Sequence, residues 1–227
     1  MEYDTHLLQA IELNEVTRSF RFSMPPGFKF EAGQFFYVRL SEKLMKHFSF
    51  SNSPTERGYV EFTTKMTGSE YKNALNTLNV GSRVRIRGPF GEFTYDPRLK
   101  KIAFLSGGIG ITPVRSICKY ITDGGIDCDI TVIYGNRTES DIIFKKDFEL
   151  MEGNMLKVVH VLSNPRPAWS GHRGYITRDI IVKEIPDYME RTFYACGPPA
   201  MVLAMTKMLD ELNVDKSRIM LENFTGY

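Results

Sequence analysis

The hydrophobic pattern of this chain changes near residue 98, and that change constrains the fold more than any other feature. Before it, short apolar and aromatic runs recur between Gly, Pro and Asn turns, which indicates antiparallel strands that form a small barrel. Ser69 suits the N-cap of a short helix over Glu70–Leu78. Residues 1–98 are therefore predicted to form an antiparallel β-barrel domain. The predicted strands are Thr5–Leu13, Phe20–Met24, Gln34–Leu40, Tyr59–Thr64 and Arg83–Arg87.

After residue 98, apolar runs of strand length alternate with helical patterns. Such alternation is typical of a parallel sheet with helices on both faces. Residues 99–227 are therefore predicted to form an α/β domain, with the boundary in the charged stretch 94–101. The predicted strands are Lys101–Ser106, Asp129–Tyr134, Leu156–Leu162, Thr192–Ala195 and Arg218–Leu221, and the helices lie near Pro113–Thr122, Ser140–Met151, Thr177–Lys183 and Ala200–Leu212.

Composition argues against several classes of protein. A net charge of +2 gives no strong field for nucleic acid or membrane. No apolar run approaches the ~20 residues of a membrane span, and the acidic start lacks the layout of a signal peptide. Three scattered cysteines, Cys118, Cys128 and Cys196, are too few for a disulfide framework or a metal cage. We therefore expect a cytoplasmic protein with reduced thiols and no metal site.

The segment FLSGGIGITPVRSI, 104–117, joins the first predicted strand of the second half to a helix. Gly107, Gly108 and Gly110 lack a Cβ, so their backbone amides can approach a ligand closely. Thr112 suits an N-cap and Pro113 the first helical position. A helix that begins here points its free N–H groups at the turn, which predicts an anion site for a pyrophosphate. A tight turn without a ligand is the alternative.

Further motifs follow in a fixed order: KHFSFSNSP at 46–54, GPFGEF at 88–93, the glycine turn, YACGPPAM at 194–201 and the terminal LENFTGY. This set resembles the ferredoxin–NADP reductase superfamily, particularly its short bacterial and archaeal flavoproteins, over nearly the whole chain. The resemblance implies a six-stranded antiparallel β-barrel that binds flavin, followed by an NAD(P)-binding α/β domain. It also implies FAD, with FMN as the alternative, and no nucleic acid.

The first motif matches the R-x-Y-S motif that holds flavin in that family. The matching residues are Lys46, His47, Phe48 and Ser49. The resemblance places the Ser49 hydroxyl beside the flavin N5. Lys46 replaces Arg and keeps positive charge without the bidentate fork, while Phe48 replaces Tyr and keeps the stacking ring. Barrel core is the alternative for Phe48, and the preferred interpretation for Phe50.

A second flavin segment resembles the family's G-x-x-S helix start, with Tyr71 where Ser is expected. Ser69 and the amides after it can still bind a phosphate, and Lys65 adds charge unless it is a solvated surface lysine. The expected flavin contacts here are Phe62, Thr63, Thr64, Lys65, Gly68, Ser69, Glu70 and Tyr71.

The last two motifs imply the hydride-transfer site. Cys196, Gly197 and Pro198 are expected to flank the nicotinamide, with Cys196 as a small contact and not a nucleophile. In many relatives a terminal aromatic stacks on the flavin and is displaced by the nucleotide, and Phe224 and Tyr227 both qualify. Glu222 would relay protons or hold the nicotinamide amide, unless it is a surface residue of a terminal strand.

Nucleotide preference depends on the second strand of the α/β half. Asn136 and Arg137 follow that strand, where an adenosine ribose would lie. Arg137 can pair with a 2′-phosphate, which favours NADPH slightly over NADH.

The resulting prediction is an NAD(P)H-dependent flavoprotein reductase with Ser49, Cys196 and Glu222 at the reaction centre. Its electron acceptor would be a separate molecule: ferredoxin, another small redox protein, an oxygenase component or free flavin. Two alternatives stay open, an electron-transfer subunit of a larger redox complex and a non-catalytic nucleotide-binding module. Retention of the three central residues argues against the second alternative. The oligomeric state is left open.

Overall fold

The structure of the protein is a computed structural model, which describes residues 2–153 and 155–224. The first half is an antiparallel sheet of six strands in the order β4-β3-β6-β1-β2-β5. An isolated bridge between Phe50 and Phe62, together with the Ser51 N–H that donates to the Glu61 carbonyl, joins the two edges and closes the barrel. The predicted six-stranded barrel is confirmed. Its strands are β1 (Glu2–Asn14), β2 (Thr17–Ser23), β3 (Phe35–Arg39), β4 (Met45–Ser49), β5 (Tyr59–Lys65) and β6 (Arg83–Phe90).

Phenylalanine fills the barrel. Phe50 is fully buried and stacks between Phe30 and Phe36, with ring centroids 3.9 and 4.3 Å away. Phe48 stacks on Phe62 at 4.1 Å. Large aromatic rings suit this space because each buries a large apolar area with few rotatable bonds. Phe50 therefore belongs to the core, as predicted.

One short helix, α1 (Glu70–Asn76), lies between β5 and β6. The Ser69 hydroxyl accepts a hydrogen bond from the Lys72 N–H, so Ser69 is the N-cap as predicted. The helix ends two residues earlier than Leu78, the predicted limit. Tyr71 turns inward, and its hydroxyl donates to the Val38 carbonyl at 3.0 Å, which anchors the helix on the barrel.

The second half is a parallel sheet in the order β10-β9-β8-β7-β11-β12. Adjacent strand residues point to opposite faces, so Phe104 and Leu105 enter two separate apolar clusters, one on each side. The predicted α/β architecture is confirmed. Its strands are β7 (Lys101–Gly107), β8 (Asp129–Asn136), β9 (Leu156–Leu162), β10 (His172–Arg173), β11 (Thr192–Gly197) and β12 (Ile219–Asn223), and its helices are α2 (Ile111–Asp123), α3 (Lys145–Met151), α4 (Arg178–Glu184) and α5 (Pro199–Glu211).

One predicted helix is wrong in its start. The pattern from Ser140 to Met151 contains a 3-10 turn at Glu139–Asp141, and α3 begins only at Lys145. Phe144 between them has φ of 58°, a left-handed conformation that interrupts a right-handed helix. No helix within the described ranges is long and apolar enough to cross a membrane.

Candidate functional site

The glycine turn lies where β7 ends, next to β8 on one side and β11 on the other. The chain passes from β7 through a 3-10 turn at Gly108–Gly110 directly into α2. The ends of parallel strands meet at this edge, and ligands of such sheets bind beyond it. The predicted anion site therefore lies at the edge of the sheet where a ligand is expected.

Two details of the predicted helix start are wrong. Gly110 is the N-cap, Thr112 is buried inside the first turn, and Pro113 is the third residue of α2 instead of the first. The 3-10 turn already coils the chain, so the helix begins before the residues whose side chains usually mark a start. Pro113 is still tolerated because N–H groups in the first turn have no partner within a helix.

The three glycines of the turn serve different purposes. A Cβ on Gly107 would overlap the Met201 sulfur, and a Cβ on Gly110 would lie 2.5 Å from the Cys196 carbonyl oxygen. Gly108 has φ of 52°, and a Cβ there would meet only the Lys65 Nζ at 3.7 Å. Close packing within the protein thus explains Gly107 and Gly110, whereas Gly108 leaves room above the turn.

A cavity of about 640 Å³ opens above this turn. Gly107 and Gly108 form its floor, and Asn136, Arg137 and Pro198 lie along its walls, as predicted for a nucleotide site. Lys65, at the end of barrel strand β5, also lines it. The structure places the Lys65 ammonium beside Gly108 in this cavity, and its predicted contact with flavin stays a prediction. Both halves of the chain therefore build one site.

The residues expected around the nicotinamide lie beside the turn. Cys196 is fully buried, and its thiol donates to the Gly110 carbonyl at 3.1 Å. Burial raises the pKa of Cys196 to about 12, so the thiol stays protonated. A protonated thiol suits a contact residue and not a nucleophile. Glu222 is the β12 neighbour of Cys196, and burial raises the pKa of its carboxyl.

Phe224, the last described residue, lies beside the same strand end. The Phe224 N–H donates to the Gly197 carbonyl at 2.9 Å, and the Phe224 ring is buried. Tyr227, the other predicted stacking residue, lies outside the described residues. Stacking of either aromatic on a flavin stays a prediction.

A second cavity, of about 690 Å³, opens on the barrel. It brings together residues predicted from two separate motifs, which the chain places more than 20 positions apart. The residues of those motifs that line the cavity are Lys46, His47 and Phe48 on β4 and Ser69, Glu70 and Tyr71 around the start of α1. Burial and the nearby Lys46 charge lower the pKa of His47, which favours the neutral ring.

Other predicted flavin contacts do not line this cavity. The Phe62 ring lies in the barrel core, and the Thr63 hydroxyl is hydrogen-bonded to Ser19 and Ser51. Both side chains are therefore occupied within the barrel, and their contact with flavin stays a prediction. Ser49 is buried at the end of β4, opposite Phe35. Gly68 has φ of 75°, the left-handed conformation that its turn requires.

Lys72 was missed by the sequence analysis, yet it lines the barrel cavity. Its side chain is buried beneath α1, its ammonium donates to the Thr64 hydroxyl, and it lies 4.5 Å from the centre of the Phe48 ring. Burial, and then the charge of Lys46, lower the pKa of Lys72 to about 7. The two lysines make this cavity suitable for an anion. A lysine on the apolar side of a helix, between Tyr71 and Leu75, was the signal in the sequence.

Comparison with known proteins agrees with this arrangement. The family model of an oxidoreductase FAD-binding domain matches residues 4–95, and the model of an oxidoreductase NAD-binding domain matches residues 104–207. The chain is 32% identical to NADH-cytochrome b5 reductase 1 of Dictyostelium discoideum, over 91% of this chain and 77% of that protein. It is 30% identical to a glycine betaine monooxygenase reductase subunit of Pseudomonas aeruginosa, over 96% of this chain but only 64% of that protein.

Solved structures share the fold. The cytochrome P450 reductase GcoB of Amycolatopsis superposes with a TM-score of 0.89 at 23% identity, over all of this chain and 70% of that one. The cytochrome b5 reductase domain of Ulva prolifera nitrate reductase gives 0.87 at 23% identity, over 98% of this chain and 97% of that one.

Proposed function

Since this chain belongs to the ferredoxin–NADP reductase superfamily, as an NAD(P)H-dependent flavoprotein oxidoreductase, we propose that its two cavities hold FAD and the nucleotide side by side for hydride transfer. The observation that carries the proposal is the position of Lys65, a barrel residue that lies over the glycine turn of the other half. A cavity lined by both halves is where a donor from one and an acceptor from the other can meet. We propose the division between the halves after residue 98, because β6 ends at Phe90 and β7 begins at Lys101.

The barrel cavity fits a phosphorylated flavin. The Lys46 and Lys72 ammonium groups and the N–H groups that follow Ser69 would hold its phosphates. Phe48 offers an apolar surface there, and Ser49 ends the same strand. Bound flavin supplies the exchange between two-electron and one-electron chemistry. FAD is the proposed form and FMN the alternative, and chromatography of the flavin released on denaturation separates them.

The other cavity fits a nicotinamide dinucleotide. The glycine turn at Gly107 and Gly108 and the Lys65 ammonium would bind the pyrophosphate, while Asn136 and Arg137 would lie at the ribose. The Dictyostelium relative is named for NADH, whereas a guanidinium at the ribose suits the 2′-phosphate of NADPH. Both nucleotides are therefore proposed as substrates.

At the reaction centre, the proposed roles follow from environment. Burial raises the pKa of the Glu222 carboxyl, which favours a role in holding a proton or in hydrogen-bonding the nicotinamide amide. Cys196 would pack beside the nicotinamide as a neutral thiol. Phe224, buried and bonded to Gly197, would cover the flavin until nucleotide binds.

The acceptor is proposed to be a separate small redox protein, such as a ferredoxin, or an oxygenase component. The Pseudomonas relative is named as the reductase subunit of a monooxygenase, which supports that choice. A flavin-carrying subunit of a larger complex and an NAD(P)H:flavin reductase are the alternatives. A cytoplasmic location is proposed, and the three buried free cysteines suit a reducing compartment.

Anaerobic titration of the purified FAD-loaded protein with NADH and with NADPH tests the proposal. We expect the flavin absorbance near the visible maximum to bleach stoichiometrically with at least one nucleotide, and to recover when an electron acceptor is added. A protein that retains no added flavin, or whose bound flavin neither nucleotide bleaches, would contradict it.

A further inference from the structure

A buried arginine joins the two halves. Arg115, in the second turn of α2, is 6% exposed, and its guanidinium crosses to the barrel half. One terminal nitrogen donates to the Ser51 carbonyl at 2.7 Å and to the Glu56 carboxylate at 2.8 Å, and the other donates to the same carboxylate at 3.1 Å. This is the bidentate geometry that makes arginine–carboxylate pairs strong and directional.

The same side chain is fixed on its own half. The Arg115 Nε donates to the Asp147 carboxylate of α3 at 2.5 Å, and the guanidinium lies 5.1 Å from the centre of the Phe144 ring. Burial works against the charge, but Glu56 and Asp147 outweigh it and raise the pKa of Arg115. The guanidinium therefore stays charged while it bridges both halves.

Neighbouring contacts follow the same path. The Ser116 hydroxyl donates to the Asn52 carbonyl at 2.7 Å, and the Thr55 hydroxyl donates to the Asp123 carboxylate at 2.5 Å. One face of α2 is thus bonded to the barrel segment 51–56. Within residues 2–153 and 155–224, the pair of Arg115 and Glu56 is the only ion pair that joins the halves.

Both connected elements lead directly to a cavity. Segment 51–56 continues the strand that ends at Ser49, in the motif expected to bind flavin. Helix α2 begins at the glycine turn, and Arg115 lies five positions after Gly110. The guanidinium therefore connects the barrel segment next to the proposed flavin site to the helix next to the proposed nicotinamide site.

We propose that Arg115 is a positioning residue for hydride transfer, which fixes segment 51–56 against α2 and so sets the alignment of flavin and nicotinamide. This inference rests on the proposed function. Hydride transfer depends steeply on geometry, because a misplacement of about 1 Å can cost about a hundredfold in rate. Nucleotide affinity depends on contacts within the cavity above the glycine turn, which Arg115 does not line.

The chain offers a matched control. Arg191 is also 6% exposed and paired with two carboxylates, those of Asp129 and Asp187, but all its partners belong to the second half. Loss of either guanidinium removes a donor from two carboxylates and from at least one backbone carbonyl. Only Arg115→Met should change the relation between the halves.

The test is anaerobic stopped-flow reduction of the FAD-loaded protein by excess nucleotide. We expect R115M to lower the limiting rate of flavin reduction about 10- to 100-fold, with the nucleotide Kd within about threefold of wild type. R115K, which keeps the charge without the fork, should recover part of the rate, and E56Q should lose less than R115M. R191M should lower the unfolding temperature and leave the limiting rate within about twofold.

A second readout does not depend on turnover. Amide hydrogen exchange of the flavin-free protein should be faster at segment 51–56 in R115M than in wild type, and unchanged there in R191M. A limiting rate for R115M within twofold of wild type, or an equal loss in R191M, would overturn the inference. If R115M does not fold, R115K and E56Q decide by the same criteria. Failure of wild-type reduction would instead refute the proposed function itself.

Discussion

A buried lysine is costly to a folded protein that has no ligand, and Lys72 provides a measurable case. Burial holds its pKa at about 7 against an ordinary 10.5, which corresponds to about 5 kcal/mol of preference for the neutral amine. The ammonium donates to the Thr64 hydroxyl and lies over the Phe48 ring, and the lowered pKa is the net result of burial and of all such contacts. Lys72→Met should therefore stabilise the flavin-free protein by up to about 5 kcal/mol at pH 6.

The pH dependence has a definite sign. The folded pKa lies below the unfolded one, so the penalty is complete below pH 7, shrinks as pH rises, and is gone above pH 10.5. The free energy of unfolding of wild type should therefore rise relative to that of K72M between pH 7 and 10, until the two values are about equal. Urea denaturation of flavin-free protein at pH 6, 7.5 and 9 measures the difference.

Flavin binding should change in the opposite direction. If Lys72 binds a flavin phosphate, K72M loses a charge-assisted hydrogen bond of about 1.5–3 kcal/mol, or about 10- to 100-fold in FAD affinity. Lys207→Met serves as control, because the Lys207 side chain is 78% exposed on α5. A stability gain that does not vary with pH, or an unchanged FAD affinity, would refute the reasoning.

Three further predictions concern the nucleotide half. Gly110→Ala should lower stability by about 1–3 kcal/mol in thermal unfolding, since its Cβ would strike the Cys196 carbonyl. Gly108→Ala should cost only about 1 kcal/mol, because of its positive φ. Equal losses in the two variants would contradict the packing argument. Cys196 should resist iodoacetamide at pH 8 in the native protein and react after unfolding, and rapid native alkylation would show the thiol to be accessible. Arg137→Ala should raise the KM for NADPH about tenfold or more and that for NADH little, and an equal effect on both would remove its assignment to the 2′-phosphate.

The architecture could be predicted because it depends on repeating patterns. Period-two runs between turns predicted the barrel, and the alternation of strands and helices predicted the parallel sheet. The flavin and nucleotide segments could be proposed from the sequence because the residues of each motif are local: 46–49 belong to one strand, and 107–110 form one strand-to-helix turn. Ser69 could be predicted as a cap for the same reason.

What failed depends on contacts between distant segments. The start of α2 was placed at Thr112 because a capping side chain is a local signal, whereas the 3-10 turn arises from how β7 enters the helix. The position of Lys65 over the glycine turn was not predicted, because the sequence cannot show that β5 ends above that turn. Arg115 and Lys72 were overlooked, since a charged residue in a helix is usually solvated and only tertiary packing buries it.

The sharing of one cavity between the halves has a consequence for recombination. A crossover between Phe90 and Lys101 would join the barrel of one homologue to the sheet of another. It would separate Lys65 from the turn it covers and Glu56 from Arg115, while the barrel core would stay intact and the core of the sheet half would lose only its contacts with barrel residues such as Ala32. Chimeras of this kind should fold yet exchange electrons poorly until the partners at those contacts are matched.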